Sequence, residues 1–578
     1  MVFRCLLIAF LLTQTEAFSQ TLQLHGYVRD AATEETMLGV GITVKGENSV
    51  AQTNAYGFFS LELLSDKNYQ IIFSSVGYQN DTLSVLAHSQ KGDVVVYLKP
   101  TDFQLSEVVV KGDKAPGKIN RISTNTLTTA EIKTMPIIFG EKDPVKAFQF
   151  LPGVQPASEG SSMFLVRGGG ADQNLLLLDQ ATVYNANHLF GFISTFNADP
   201  IKHIELYKGG FPARYGGRLS SVLDVRMKEG SPQSFHGEGG IGIITSRLTL
   251  EGPIWKNKVS FMLSARRTYF NAVKFLIPIK SFDVNYNFYD LNGKINWQID
   301  PRNSLYLSTY SGADRLAISD EFKVGLVRSN YDYNMNWGNL TSTLRWNHLF
   351  GEKLFSNTSL VLTKYDFKVV DKFSRQVADD RITSETDYLS SIRDVSLRTD
   401  FDYFSSLNTT IRWGGAVTRH SFNPQILKVD TEPARSTTIN NLEASVYAEY
   451  EAKWTEKLSG NLGFRLNAYE VGQQFSWFAE PRAVVSYQFN SSWTAKAAYA
   501  RTSQFTQQLS NTGVGFPTDL WVPSTAKVPV ASAQQLSGAL EKSFGNKYSL
   551  TVETYYKNMA NVVSYGETSP FVSASATQ

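Results

Sequence analysis

The chain has 578 residues, with 55 Lys and Arg against 53 Asp and Glu and a formal net charge of +2. That length exceeds one ordinary domain, and the balanced charge excludes the strong basic field of a nucleic-acid-binding protein. Aromatic residues make up 13% and there are 41 glycines, a mix that favours β-structure with many turns.

At the N-terminus, Arg4 precedes an apolar run from Cys5 to Leu12, and Ala17 and Ser19 are small residues suited to cleavage before Gln20 or just after Ala17. Residues 1–19 read as a secretory signal peptide; the alternative is a buried N-terminal helix. Cys5 is the only cysteine, so the mature chain would carry no disulfide, thiolate metal site or cysteine nucleophile. No later apolar run reaches the ~18 residues of a membrane-spanning helix.

Residues 20–100 alternate apolar and polar over short runs such as LHGYVRD, LGVGITVKG and YQIIFSSVGYQ, with Gly46, Asn54, Gly57 and Gly77 at the turns. This predicts a small antiparallel β-sandwich. Residues 101–112 form a linker. Residues 113–230 are mixed. Thr128 and Glu131 have capping-box spacing, opening a helix that Pro136 would end. Asp143-Pro144 opens a second helix running to Leu151. Short strands follow in FLVRG, NLLLLD, IKHIELYKG and SSVLDV, which predicts a compact α+β domain.

From 231 onward, long strands alternate cleanly. Val446, Ala448, Tyr450, Ala452 and Trp454 share one face, while Tyr447, Glu449, Glu451 and Lys453 share the other. A fully charged face suits a wet barrel interior, although each segment alone also fits a soluble sandwich. The connections favour the barrel. Short turns at 300–303, 350–353, 405–408, 455–457, 490–492 and 545–547 alternate with long loops expected at 271–285, 313–334, 370–390, 423–440 and 506–531. Short turns on one rim and long loops on the other mark an outer-membrane barrel. Strands of about 9–15 residues suit tilted spans, and Trp297, Trp346, Trp413, Trp454 and Trp493 near strand ends suit interfacial girdles.

Several chemical readings fail on context. Gly237, Gly239 and Gly242 spell a dinucleotide fingerprint without a following helix, and Arg167-Gly168-Gly169-Gly170 lacks the ending of a phosphate loop. The seven histidines show no zinc-protease spacing. His188 and His203 bracket a loop and could meet in space, with a structural role favoured over a ligand role. Asp379-Asp380 lacks calcium-loop spacing. No Gly-x-Ser-x-Gly elbow occurs. The expectation is no enzyme, no cofactor and no metal.

Gly26, Val28, Asp30, Leu38-Gly39-Val40, Thr53-Asn54, Gly57-Phe58-Phe59 and Gly77-Tyr78 resemble the carboxypeptidase regulatory-like domain, which implies fold alone. The whole order resembles a TonB-dependent outer-membrane transporter of the Bacteroidetes type, with resemblance greatest over 105–225. Leu105, Ser106, Glu107, Val108, Val109 and Val110 resemble the TonB box, a segment that must add as a strand to its partner. The alternative is a last strand of the sandwich. The plug hallmarks stand as Leu151-Pro152-Gly153-Val154, Val166-Arg167-Gly168-Gly169, Leu177-Leu178-Asp179, and Lys208-Gly209 with Arg214-Tyr215-Gly216-Gly217 inside the stretch 204–225. The commoner plug has Asp-Gly where this chain has Asp179-Gln180, and often a Gly-Gly-Val-Ile-Asn-type ending where it has 219–225.

The resemblance implies TonB, with its inner-membrane energising complex, as partner. It implies outer-membrane lipid around the barrel, the sandwich in the periplasm, and a small ligand such as a siderophore, glycan or peptide, with no nucleic acid. Arg167 and Arg214 are candidates for plug-to-wall contacts, with surface arginines as the alternative. Phe516, Trp521 and Tyr331 are loop aromatics that could stack on a ligand. A receptor or adhesin without active transport is the rival function. Strand counting gives about fourteen strands against about 22 in this family's barrels, so the expectation is a mainly β chain whose barrel is incomplete and C-terminally truncated.

Overall fold

The computed structural model describes residues 21–46, 50–87, 93–101, 122–135, 141–269, 283–377, 379–429, 435–436, 438–509, 520–545 and 548–563. The signal-peptide segment, the expected TonB box at 105–110, Pro136, Phe516 and the last residues from 564 lie outside these.

The N-terminal unit is two packed sheets. One holds Phe58–Leu64, Thr21–Asp30 and Asp93–Leu98; the other holds Val50–Gln52, Gly41–Val44, Tyr69–Ser74 and Asp81–Val85. Alternate residues Leu24, Val28, Ile42, Leu61, Ile71, Phe73 and Val96 fill the space between. The pairing is not wholly antiparallel as expected. Asp93–Leu98 crosses from the second sheet to the first and lies parallel to Thr21–Asp30. The close approach needs Gly26, whose φ is 152° and where a Cβ would strike the Val94 carbonyl.

The second unit centres on a five-stranded mixed sheet in the order Ala181–Thr182, Asn174–Leu178, Ser221–Met227, Ile201–Tyr207, Thr124–Thr128. The capping box forms: Thr128 Oγ1 accepts from Glu131 N–H at 3.4 Å and Glu131 Oε2 accepts from Thr128 N–H at 2.8 Å. The helix is Thr129–Lys133. The second helix, Pro144–Phe148, starts on Asp143 as expected but ends three residues before Leu151, where turn bonds replace helical ones ahead of Pro152-Gly153. Phe148, Val166, Ile204, Leu206, Leu223 and Val225 form its buried core.

The third unit is a sixteen-stranded antiparallel sheet from His236–Ile241 to Tyr548–Ala560, fifteen strands in one path with Arg435–Ser436 pairing beside it. Among the described residues its first and last strands do not pair with each other. Gly237 and Gly239 lie in the first strand, facing Leu250 and Leu248 across the ladder.

The polarity of the faces is the reverse of a soluble sandwich. Val446 (60% exposed), Leu462 (47%), Leu344 and Leu397 point outward, while Tyr447, Glu449, Arg465 and Asn467 are buried against the plug unit. An apolar exterior around a charged, filled interior is the arrangement a bilayer demands. Trp297, Trp346, Trp413 and Trp454 are exposed beside the short turns, forming one girdle at that rim.

The opposite rim differs from expectation. The segments expected as loops at 313–334 and 370–390 are continuous hairpins. Asn303–Val324 pairs through to Val327–Leu349, and Leu354–Val377 to Asp380–Ser406. Thr409–Val429 likewise runs into the segment expected as a loop at 423–440. Strands therefore reach 27 residues rather than about 15. Alternation fades in these overhangs because both faces meet water. Cross-strand pairs such as Lys372–Glu385 (3.0 Å) and Arg328–Glu321 (2.6 Å) line them instead. Within the segment 506–531, Thr506–Leu509 and Leu520–Pro523 pair antiparallel as a two-stranded sheet separate from the wall.

Candidate functional site: the seat of the plug unit in the barrel wall

The α+β unit sits inside the curved sheet, and four groups of its contacts with the wall involve the plug hallmarks or a buried histidine. The first is Arg167. Its left-handed backbone (φ 49°) turns the guanidinium outward from the unit. There it donates to Ser537 Oγ (2.9 Å) and Glu553 Oε2 (3.0 Å), lies 5.0 Å from the Tyr555 ring, and is 4% exposed. Gly168 holds the following turn at φ 71°, and Gly169 packs where a Cβ would collide with Ser220. Gly209 is equally confined: a Cβ would sit 2.7 Å from both Arg167 and Gln535. Lys208 donates to the Pro152 carbonyl at 2.9 Å, and burial brings its pKa down to about 8. Lys557 of the wall donates to Ser220 Oγ at 2.7 Å.

The second place is the 212–217 turn, which the wall holds by its backbone. Arg482 donates to the Pro212 carbonyl, Glu449 accepts the Ala213 N–H, and Arg465 donates to the Arg214 carbonyl at 3.2 Å. Gly216 leaves room for the Arg465 guanidinium and Gly217 takes φ 81°. Arg214 is half-buried, with its guanidinium over the Tyr215 ring at 4.9 Å, and its main-chain carbonyl takes the hydrogen bond from the wall. Tyr215 donates to Asp224 (2.9 Å). Burial would raise the Asp224 pKa, but Arg226 and Arg214 hold it below the usual carboxylate range.

Asp179 marks the third. Its carboxylate meets Lys294 Nζ (2.9 Å), Ser308 Oγ (2.7 Å) and Met227 N–H (3.1 Å). Burial opposes ionisation there, and Lys294 and Arg345 outweigh it and lower the pKa.

The fourth was not singled out as a wall contact from the sequence. His188 Nδ1 lies 2.6 Å from Asp314 and Nε2 lies 2.9 Å from Asp290, with the ring stacked on Phe288 at 4.0 Å. Arg266 joins Asp290 (2.7 Å) to Glu141 (3.4 Å) and donates to the Ser194 carbonyl. With both carboxylates ionised, both ring nitrogens donate and the imidazolium is paired on both sides. Burial lowers the His188 pKa, and Asp290 and Asp314 overcome it, pushing it up to about 9. His203 lies elsewhere, in Ile201–Tyr207, so the two histidines do not share a site.

Beside the seat runs a polar cavity of about 840 Å³, including its solvent-open mouth, between Gln180, Tyr184 and Arg218 of the plug unit and Asp394, His420 and Glu443 of the wall. Phe505 and Thr506 line one side of it, and Trp521 is buried nearby, with Arg218 5.5 Å from its ring and Tyr184 edge-on at 5.1 Å. Tyr331 stands on a strand overhang rather than a loop, its hydroxyl 3.4 Å from Asp371. Among the described residues, no group of three or more His, Cys, Asp or Glu is placed to hold a metal ion. The arrangement grips: a charged domain is held in a largely polar lumen.

Residues 265–576 match the TonB dependent receptor-like β-barrel, 120–221 the TonB-dependent Receptor Plug Domain, and 24–110 the CarboxypepD_reg-like domain. The chain belongs to the TonB-dependent receptors. Among solved structures, it is similar to the siderophore receptor PirA of Pseudomonas aeruginosa, at 16% identity and TM-score 0.51, covering 76% of this chain and 74% of that one. The outer membrane transporter YddB of Escherichia coli aligns at 11% identity and TM-score 0.53, covering 75% and 69%. FpvA of P. aeruginosa, bound to a heterologous pyoverdine, aligns at 12% and 0.54, covering 77% and 64%. These identities carry the fold alone. No curated protein matches the chain by sequence. The family's barrel is an outer-membrane fold, and no described helix is long and apolar enough to cross a membrane. These relatives are receptors and transporters rather than enzymes.

Proposed function

We propose that this TonB-dependent receptor is an energised transporter of the Bacteroidetes type. Cargo binds the overhanging hairpins and the outward face of the plug. TonB, driven by the inner-membrane proton gradient, takes Leu105–Val110 as an added strand and pulls the plug from its seat. The sandwich then faces the periplasm, at the short-turn rim.

The observation that carries this reading is the chemistry of the seat. Arg167, Asp179, His188, the Lys208 carbonyl and the 212–217 turn meet the wall through hydrogen bonds and ion pairs. Water can replace such contacts one by one as the plug shifts, while the apolar patch that packs Ile193 and Phe190 with Phe288 and Trp337 must be parted outright, which takes a pull. The polar cavity already alongside gives water and cargo a starting volume. Siderophores, glycans and peptides remain the cargo classes; the siderophore receptors among the structural relatives put ferric siderophores first in the panel to test.

The test is growth on a panel of sole iron or carbon sources, comparing the full chain with a 105–110 deletion. An energised transporter loses chain-dependent growth on deletion and keeps surface binding of the same cargo. Growth that survives the deletion would instead support a receptor or adhesin without active transport.

A further inference from the structure

The N-terminal sandwich touches more than the rim. Its turn between Val50–Gln52 and Phe58–Leu64 projects into the barrel mouth. Asn54 stiffens that turn, its Oδ1 accepting from Tyr56 N–H (2.9 Å) and Phe58 N–H (3.0 Å). Gly57, at φ 79°, lets it close against Thr36, where a Cβ would press at 2.8 Å.

From this stiff turn, side chains reach wall and plug at once. On the wall, Tyr56 stacks on Phe355 at 5.2 Å, Phe58 meets Phe355 (5.7 Å) and Phe404 (5.6 Å), and Asn54 Nδ2 donates to Asp402 at 3.1 Å. On the plug, Gln180 Nε2 donates to the Tyr56 hydroxyl at 2.8 Å and Arg226 Nη1 to the Ala55 carbonyl at 2.8 Å. The Tyr56 ring lies between two guanidiniums, Arg226 of the plug at 5.1 Å and Arg345 of the wall at 5.0 Å.

A second grip lies where the plug leads into the barrel. The Glu35 carboxylate accepts the N–H groups of Glu229 and Gly230, and Thr36 reaches the Glu229 carboxylate at 3.3 Å.

Gln180 supplies an independent indication. It and Asp179 are consecutive left-handed residues, at φ 76° and 45°. That backbone is unfavourable for any residue with a Cβ. Asp179 is fixed there by Lys294, Ser308 and Met227. Gln180, by contrast, gives its amide Nε2 to Tyr56. A long amide stands where the backbone favours glycine, and it touches the sandwich.

We propose that the sandwich is a latch: the 54–58 turn pins the plug to the barrel wall from the short-turn side, and the plug loosens only when that turn withdraws. The latch gives the regulatory-like domain a mechanical role. The claim concerns the resting protein and stands whether or not transport is energised.

Hydrogen exchange on the full chain in detergent tests it with two variants. Tyr56→Ala removes the ring without entering the sandwich core, and Gln180→Gly cuts the plug side while relieving the backbone. Both are expected to speed exchange at least tenfold over 174–182 and 226–230. Exchange at 71–73 in the sandwich and 360–365 in the wall stays as in the parent. Unchanged plug exchange in both variants overturns the latch. Should Tyr56→Ala also loosen 71–73, Gln180→Gly decides alone, because it leaves the sandwich sequence untouched.

Discussion

His188 shows how much one side chain of the plug depends on its wall. Glu141, Arg266, Tyr286 and Tyr310 surround the same carboxylates. The His188 pKa rises from 6.5 to about 9, so its contribution is fully present below about pH 6.5 and is lost as pH climbs through about 9. The magnitude is on the order of 3 kcal/mol. His188→Asn is expected to lower the unfolding temperature at pH 6, and the gap to the parent should shrink by pH 9. A gap that stays constant across that window contradicts the imidazolium. Gly26 is the other residue with little freedom. Gly26→Ala is expected to detach Asp93–Leu98 from its parallel partner at a cost of about 2 kcal/mol or more, read as a lower urea midpoint for the sandwich. Neither role was legible in the sequence. His188 is separated from Asp290 and Asp314 by more than a hundred residues, and Gly26 reads only as part of the regulatory-like motif, which implies fold alone.

Strands and hairpins were more legible, because the bilayer imposes its pattern on every span. Leu344 and Leu397 point outward where two-residue alternation puts them, and the short turns fall where the sequence suggests. Leu340→Arg, on the same outward face and six residues from the girdle's Trp346, places a charge deep in lipid and is expected to cost about 2–4 kcal/mol, seen as a lower urea midpoint in vesicles. Leu326→Arg, at a hairpin tip 84% exposed, is expected to stay within about 0.5 kcal/mol. Equal losses would mean that the outward face is not a lipid face. The overhangs were misread as loops for a physical reason. Beyond the membrane, both faces of a hairpin meet water, so the alternation that identifies a strand disappears while the ladder continues. The parallel strand of the sandwich was hidden likewise, since alternation reports faces and not direction.

At the scale of the molecule, three units interlock: a barrel wall apolar outside and charged within, a plug held through polar contacts, and a sandwich set against the short-turn rim. The plug stretch with Lys208, Gly209, Gly216 and Gly217 stood out in the sequence as a plug hallmark. Its wall partners did not, because Glu449, Arg465 and Arg482 read only as one polar face among many. Removing one partner of a buried pair strands the other charge. Glu553→Ala is therefore expected to loosen the Arg167 corner, read as faster exchange at 164–168, with the distant 179–182 turn unaffected. Equal acceleration at both sites would mean that the plug moves as one block. The central claim, a plug worked from the periplasm by TonB, meets its most direct test in capture of the purified chain by an immobilised periplasmic domain of TonB. The account expects the full chain to be retained and the 105–110 deletion to pass through; equal retention of both would contradict it.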